Sequence, residues 1–299
     1  MRSASVHGPA PAGARTAKLG LSLAAFAVDL GGAGLRGRLA RESAHEALRL
    51  FARAGACLFD APEDAESLLE SVGDARVTLR LKSEALGPDQ VEGRLNMVRD
   101  RLRRSIAFDA LIDGTRLLAP DGDDLWAAAL QASRSETCAA VGISVEPGGD
   151  ALGLARRFKP KLMQVSAGLL DQRLILSGGL EEIAALGIEV HMRTSLLHGL
   201  LFLPREGLPP ALAEAGPQVS RVRRLIAEAG ADPLQAALAF ALDRPEASRV
   251  IVEADSAGEV RALLAAAASA SPDLDWPALA LHHAAALDAE GRLGRRAAA

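Results

Sequence analysis

Eight short apolar runs, separated by longer segments with helical periodicity, are the feature that most constrains the fold of this chain. Apolar runs that alternate with amphipathic segments are typical of βα units built around a parallel sheet. We predict strands at 18–23, 56–60, 77–82, 108–113, 138–145, 161–166, 188–194 and 248–253. Eight such units in about 250 residues favour a single closed (β/α)8 barrel of the TIM type.

The segments between the strands give the helices and the domain limits. Pro88 is predicted to open the third helix and Gly187 to follow the sixth. Helices are predicted near 41–54, 64–72, 88–105, 123–134, 149–158, 178–186, 218–230, 233–243 and 256–268, with an extra C-terminal helix at 276–289. Residues 1–17 are expected to be a disordered lead-in, 18–290 the barrel and 291–299 a flexible tail. A doubly wound sheet is the main alternative, but "GGAG" after the first strand lacks the GxGxxG fingerprint.

Composition excludes several classes of function. The net charge of −4 gives no basic footprint for nucleic acid. No apolar run reaches about 18 residues, so we expect no membrane insertion. Cys57 and Cys138 lie in apolar, strand-like runs and are predicted to be buried free thiols in a reducing compartment. A cytoplasmic location is therefore expected.

The candidate functional site follows from the barrel prediction. Active sites of such barrels lie where the strands meet the loops that follow them. The polar residues at those positions are Ser22, Asp60, Lys82, Asp113, Ser144, Gln164, Arg193, Thr194 and Glu253. We expect their side chains to meet at one face.

Four ordered motifs resemble those of the aldo/keto reductases, over about residues 18–268. They are "LGLSLAAFAVDLGGAG" (19–34), "LMQVSAGLLDQRL" (162–174), "GIEVHMRTSLLHGLL" (187–201) and "SRVIVEADSAGEVRALLAA" (248–266). The resemblance implies an aldo/keto reductase-like barrel with an extra C-terminal helix. Members of this family reduce carbonyls with the hydride of a nicotinamide cofactor, and an Asp, Tyr, Lys and His tetrad carries out the proton transfer.

Only half of that tetrad has a counterpart in this chain. Asp60 matches the Asp and Lys82 the Lys, and we expect them to survive as an ion pair. The Tyr position falls within "APED" (61–64), and the chain contains no tyrosine at all. The His position offers only Asp113 or Gly114. The resemblance therefore implies a degenerate site without its usual proton donor.

The resemblance also implies a cofactor site without a metal. Ser144 and Gln164 match residues that bind the nicotinamide carboxamide, and Arg193 replaces a stacking aromatic residue. Glu253 places a carboxylate beside the diphosphate, which is repulsive unless the side chain points away. Asp255 places one near the position of a 2′-phosphate, which favours NAD(H) over NADP(H), and Glu259 can face the adenine. The full implied cofactor set is Ser22, Asp60, Lys82, Ser144, Gln164, Arg193, Thr194, Glu253, Asp255 and Glu259.

Three functions remain open from the sequence. The first is a catalytically degenerate, NAD(H)-binding regulator, similar to family members that control cell division in alphaproteobacteria, which implies the partners FtsZ and a developmental histidine kinase. Ala298 and Ala299 resemble chain ends that ATP-dependent proteases recognise. The second is a working NAD(P)H-dependent reductase whose proton donor is His198, Asp113 or water. The third is a barrel that binds neither cofactor nor substrate.

Overall fold

The strands close into one parallel barrel in chain order. This architecture comes from a computed structural model that describes residues 12–29, 35–56, 58–63, 65–69, 75–82, 85–102, 108–134, 138–193, 201–202, 214–282 and 287. The strands are β1 (Leu19–Ser22), β2 (Leu58–Pro62), β3 (Arg76–Arg80), β4 (Phe108–Asp113), β5 (Ala140–Val145), β6 (Leu162–Ser166), β7 (Glu189–Arg193) and β8 (Arg249–Glu253). All eight predicted strands and the (β/α)8 fold are confirmed.

Thirteen helices are described around these strands. They are α1 (Ala12–Ala17), α2 (Ala24–Asp29), α3 (Leu35–Arg53), α4 (Glu66–Leu69), α5 (Val91–Arg101), α6 (Gly114–Leu117), α7 (Gly122–Arg134), α8 (Ala151–Phe158), α9 (Arg173–Leu176), α10 (Gly179–Ala185), α11 (Gly216–Glu228), α12 (Pro233–Leu242) and α13 (Ala257–Ala268). Gly187 ends the segment after α10 with φ +78°, a conformation that favours glycine. That helix end was predicted from the sequence.

Three predictions about helices and termini differ from the structure. Residues 88–90 form a turn, so Pro88 precedes α5 instead of opening it. Trp276–Leu279 is a 3-10 helix and Ala280 leaves it with extended backbone dihedrals, so the predicted C-terminal helix does not begin as an α-helix, although Leu287 within the predicted range is α-helical. Within the predicted disordered lead-in, Ala12–Ala17 form a helix instead. Arg15 in that helix is buried and donates to the Ser269 carbonyl at 2.6 Å.

The two faces of the barrel wall have different chemistry because successive strand side chains point to opposite sides. The outward side chains, such as Phe59, Leu79 and Ile143, are fully buried in one apolar core with the helices. The inward set includes Asp60, Thr78 and further polar residues, which are buried as well. The interior of this barrel is thus more polar than the branched apolar layers that usually fill such barrels.

A second apolar cluster lies beside the first. It joins the β6–α9 connection, α11, α12 and the C-terminal segment through residues such as Leu170, Phe240 and Leu281. The backbone N–H of Leu281 donates to the Leu170 carbonyl at 2.8 Å and fastens the segment there. Among the described residues, no single helix has the length and apolar character to cross a membrane. Only when α11 and α12 are taken together do they have the necessary length and apolar composition, and the two helices are bent by 87° at the break between them.

Candidate functional site

The carboxyl ends of the strands bring the predicted polar residues side by side. Ser22 is the register partner of both Asp60 and Glu253, and Ser144 is that of both Asp113 and Gln164. Neighbouring strands lie about 4.8 Å apart, so register partners are close neighbours in the wall. We call this end of the barrel the mouth. Thr194 and His198 lie outside the described residues.

Asp60 is the most enclosed charge at the mouth, with no exposed surface. Its Oδ1 accepts hydrogen bonds from Thr78 Oγ1 at 3.0 Å and Gln164 Nε2 at 2.9 Å. The cation beside it is Arg80, whose Nε lies 3.3 Å from Oδ2 without hydrogen-bond alignment. We expected an ion pair between Asp60 and Lys82, but the structure pairs Asp60 with Arg80 instead. Arg80 and Lys82 lie on the same inward-facing row, with Arg80 deeper in the barrel, and Lys82, two residues further along the chain, is exposed.

Glu63 fills the stretch in which the family resemblance places a tyrosine. It is 2% exposed. Its two oxygens accept separate hydrogen bonds, from Arg94 Nη1 at 2.7 Å and from the backbone N–H of Lys82 at 2.9 Å. A carboxylate held by a guanidinium and a backbone donor serves as an acceptor, not as a proton donor. The sequence analysis did not include Glu63 and Arg80 in the site, although each lies within three positions of a predicted site residue.

Gln164 and Ser144 lie at the bottom of the mouth, 1% and 7% exposed. Because Asp60 only accepts hydrogen bonds, it fixes the Gln164 amide with Nε2 towards the carboxylate. Oε1 is then left buried without a protein partner. A buried acceptor in this state is costly unless a donor satisfies it. A carboxamide N–H is such a donor, so these residues fit the predicted nicotinamide position.

Arg193 is held at the rim between β6 and the loop after β5. Its Nη2 donates to Glu146 Oε2 at 2.7 Å and to Ser166 Oγ at 3.1 Å. The side chain is 15% exposed. A planar guanidinium fixed in this way offers a surface for a flat ring. Glu146 was not predicted as part of the site.

The phosphate side of the predicted cofactor site is acidic. Glu253 and Asp255 are exposed at the end of β8. Ser256 caps α13 by accepting from the Glu259 N–H at 3.3 Å, and Glu259 Oε2 accepts from the Asp255 N–H at 3.0 Å. This arrangement resembles a capping box and keeps the Glu259 carboxylate at the helix N-terminus. A diphosphate would meet negative charge there, where many helices bind anions.

A second polar layer, which we call the floor, lies at the amino ends of the strands. Its members are Arg76, Asp109, Glu189 and His191. Arg76 Nε donates to Asp109 Oδ2 at 2.7 Å, and its two terminal nitrogens donate to the Glu189 oxygens at 2.6 and 3.0 Å. His191 Nε2 lies 2.9 Å from Glu189 Oε1. This network was not foreseen, because no sequence pattern marks which strand residues meet across a barrel.

Burial and pairing act in opposite directions on the two floor carboxyl groups. The hydrogen bond from His191, followed by the contacts with Arg76, lowers the pKa of Glu189 to about 2. Burial raises the pKa of Asp109 above its ordinary value, although Arg76 opposes the shift. Glu189 is therefore a carboxylate throughout the physiological range. Cys138, as predicted, is a buried free thiol, and burial raises its pKa to about 11; Cys57 lies outside the described residues.

No group of three or more His, Cys, Asp or Glu side chains suited to a metal occurs within the described ranges. Two solved structures share the fold, the holo and apo forms of aldo-keto reductase AKR11C1 from Bacillus halodurans, with TM-scores of 0.67 and 0.65. Each is 17% identical, and each comparison covers 88% of this chain and 90% of that one. The chain therefore has the barrel fold seen in aldo-keto reductases. No protein-family model and no curated protein sequence matches it.

Proposed function

We propose that this chain is a catalytically degenerate aldo/keto reductase-like protein that binds NAD(H) and regulates other proteins. The observation that carries the proposal is the state of Glu63. It occupies the stretch predicted for the tyrosine and is tied to Arg94 and the Lys82 N–H. Since the chain has no tyrosine, and Asp60 is fully buried among its own partners, the mouth offers a place for a nicotinamide but no tyrosine acid beside it.

The residues that would hold the cofactor are on β5, β6 and β7. Bound NAD(H) supplies a hydride donor or acceptor, and this is its only chemistry here. Gln164 Oε1 would accept from the carboxamide, Ser144 would offer a hydroxyl to the same group, and Arg193 would offer its guanidinium plane to the ring. The carboxylate of Asp255 favours a free ribose hydroxyl over a 2′-phosphate, and hence NAD(H) over NADP(H).

The regulatory part of the proposal rests on the family resemblance. The sequence resembles degenerate, NAD(H)-binding aldo/keto reductase homologues of the KidO type, which act in alphaproteobacterial cell division. On that basis we propose protein partners of the same kind, FtsZ and a developmental histidine kinase, in the cytoplasm.

Two measurements test the proposed function. NADH fluorescence should report saturable binding to the full chain, and a broad aldehyde panel should give no turnover above the protein-free rate. The matched variant is Gln164→Leu, which should weaken NADH binding. Turnover well above background would support the alternative of an active reductase with a different proton donor, such as Asp113. Absence of NADH binding would support a barrel without a cofactor.

A further inference from the structure

Two arginines on β3 have similar surroundings that differ in one partner. Arg76 and Arg80 share the inward-facing row of the strand, with Thr78 between them. At the floor, Arg76 Nε donates to Asp109 Oδ2 at 2.7 Å, and its terminal nitrogens donate to the two Glu189 oxygens at 2.6 and 3.0 Å. The guanidinium therefore binds one carboxylate through Nε and a second one through its planar pair of terminal nitrogens.

Arg80, at the mouth, has only the first of these two partners within the part of the chain that the structure describes. Its Nε lies 3.3 Å from Asp60 Oδ2 and is buried without an aligned hydrogen bond. The terminal nitrogens of Arg80 donate to no described residue and, unlike Nε, they are not buried. The side chain as a whole is 24% exposed. Arg80 thus lacks the second carboxylate that Glu189 supplies to Arg76.

Two carboxylates near this position are already held by donors of the protein. Glu63 accepts from Arg94 Nη1 at 2.7 Å. Asp113 caps α6 by accepting from the backbone N–H of Thr115 at 2.7 Å. Neither of them forms the bidentate contact with Arg80, although both lie on strands or loops next to β3. A carboxylate that completes the surroundings of Arg80 would therefore come from a ligand.

The place of such a ligand relative to the nicotinamide follows from Asp60. Its Oδ1 accepts from Gln164 Nε2 on β6 at 2.9 Å, and its Oδ2 is paired with Arg80 on β3. Gln164 and Arg80 therefore contact different oxygens of one carboxylate. A ligand on the terminal nitrogens of Arg80 would lie beside a nicotinamide at Gln164 and would not compete for the same acceptor.

We propose that the mouth binds a small organic carboxylate, whose two oxygens accept from the terminal nitrogens of Arg80 as those of Glu189 accept from Arg76. Both groups are planar, and pairs of this kind are frequently bidentate. A monocarboxylate is favoured over inorganic phosphate because the buried Asp60 charge adjoins the site and repels the more highly charged anion more strongly.

The inference rests on the proposed function for the place of the nicotinamide, and it names a second ligand of the same site. It differs from the carbonyl binding that the family resemblance implies. Arg80 is not one of the tetrad positions, and the contact involves no transfer of hydride or proton. The ligand is recognised by its charge and its planar shape alone.

Calorimetric titration of the full-length protein with lactate and with lactamide, its neutral counterpart, tests the requirement for charge. Lactate has no carbonyl group that NADH reduces, so binding is measured without turnover. At constant ionic strength, lactate should bind about tenfold more tightly than lactamide, the value of about one charge-assisted hydrogen bond. Inorganic phosphate should bind more weakly than lactate. Equal affinities for lactate and lactamide, or tighter binding of phosphate, would overturn the inference.

A matched pair of variants tests the assignment to Arg80. Arg80→Lys keeps a cation beside Asp60 but removes the planar pair of nitrogens, so lactate should bind about tenfold more weakly. Arg156→Lys makes the same change in an exposed pair with Glu182 and should bind lactate as the wild type does. Unchanged lactate affinity in Arg80→Lys, or an equal loss in both variants, would contradict the assignment.

A measurement on the wild type covers the case in which Arg80→Lys fails to fold. The ¹⁵N NMR signal of Arg80 Nε should shift with lactate over the same concentrations that calorimetry reports, and should not shift with lactamide. A signal that lactate leaves unchanged would show that Arg80 only balances the charge of Asp60, and the inference would be wrong.

NADH titrations separate this inference from the proposed function. NADH should bind in the presence of saturating lactate, because the two ligands contact different residues. Absence of lactate binding with NADH binding intact would overturn the inference alone, as would mutual exclusion of the two ligands. Absence of NADH binding with lactate binding intact would overturn the proposed function alone.

Discussion

The floor and the mouth of the barrel are both polar, but they satisfy their polar groups differently. At the floor, Arg76 is paired with Asp109 and with both oxygens of Glu189. At the mouth, Asp60 Oδ2 and Gln164 Oε1 have no hydrogen bond from the protein. Buried polar groups in native proteins are usually satisfied. The floor carboxylates are therefore paired within the protein, whereas in our proposal the mouth acceptor Gln164 Oε1 is reserved for a ligand.

The largest expected effect is at the floor. Arg76→Met should leave Asp109 and Glu189 without their shared cation and lower the free energy of unfolding by about 3 kcal/mol. We expect a loss at the low end of the range for breaking a buried ion pair, because the Arg76 side chain is about one third exposed. Urea denaturation measures the change. Arg156→Met, which breaks an exposed pair with Glu182, should cost less than about 1 kcal/mol. Equal losses of stability in the two variants would show that the ion pairs of the floor stabilise the fold no more than an exposed surface pair does.

The second effect concerns the acid stability of the floor. The pKa of Glu189 is about 2 in the folded protein against 4.5 for the free side chain. A depressed carboxyl pKa stabilises the fold above about pH 4.5, and this contribution is lost as the pH falls from 4.5 towards 2. Asp109, with a raised pKa, acts with the opposite sign and offsets part of the loss.

Denaturation of the wild type and Glu189→Gln at several pH values tests this effect. The wild type should lose about 2 kcal/mol more than the variant across the window, a value discounted for the partial exposure of Glu189. Parallel stability curves for the two proteins would show that Glu189 is not the group that ties the floor together.

The smallest effect is expected at the mouth and should appear in binding more than in stability. Gln164→Leu removes the reserved acceptor, so NADH affinity should fall about tenfold, the value of roughly one hydrogen bond. ADP-ribose affinity should change little, and calorimetry measures both ligands. The free energy of unfolding should fall by about 1 kcal/mol, because Asp60 loses one donor. A large loss of stability with unchanged NADH affinity would make the mouth a structural site like the floor.

Part of the candidate site was predictable because strand ends are recognisable in the sequence. Ser22, Asp60, Ser144 and Gln164 each lie within the last three residues of their strands, and the strand register places Ser22 beside Asp60 and Ser144 beside Gln164. The partner of Asp60 was not predictable. Arg80 and Lys82 share the same inward-facing row, and the chain alone does not tell which of two basic residues reaches a carboxylate on the next strand.

The eight strands, their helices and the absence of tyrosine were determined by the sequence itself, since apolar periodicity and composition are local properties. The tertiary structure decided the pairing of Asp60 with Arg80, the enclosure of Glu63 by Arg94, and the meeting of Arg76, Asp109 and Glu189 at the floor. These contacts join residues up to 113 positions apart. They depend on strand register around a closed barrel, which no local pattern encodes.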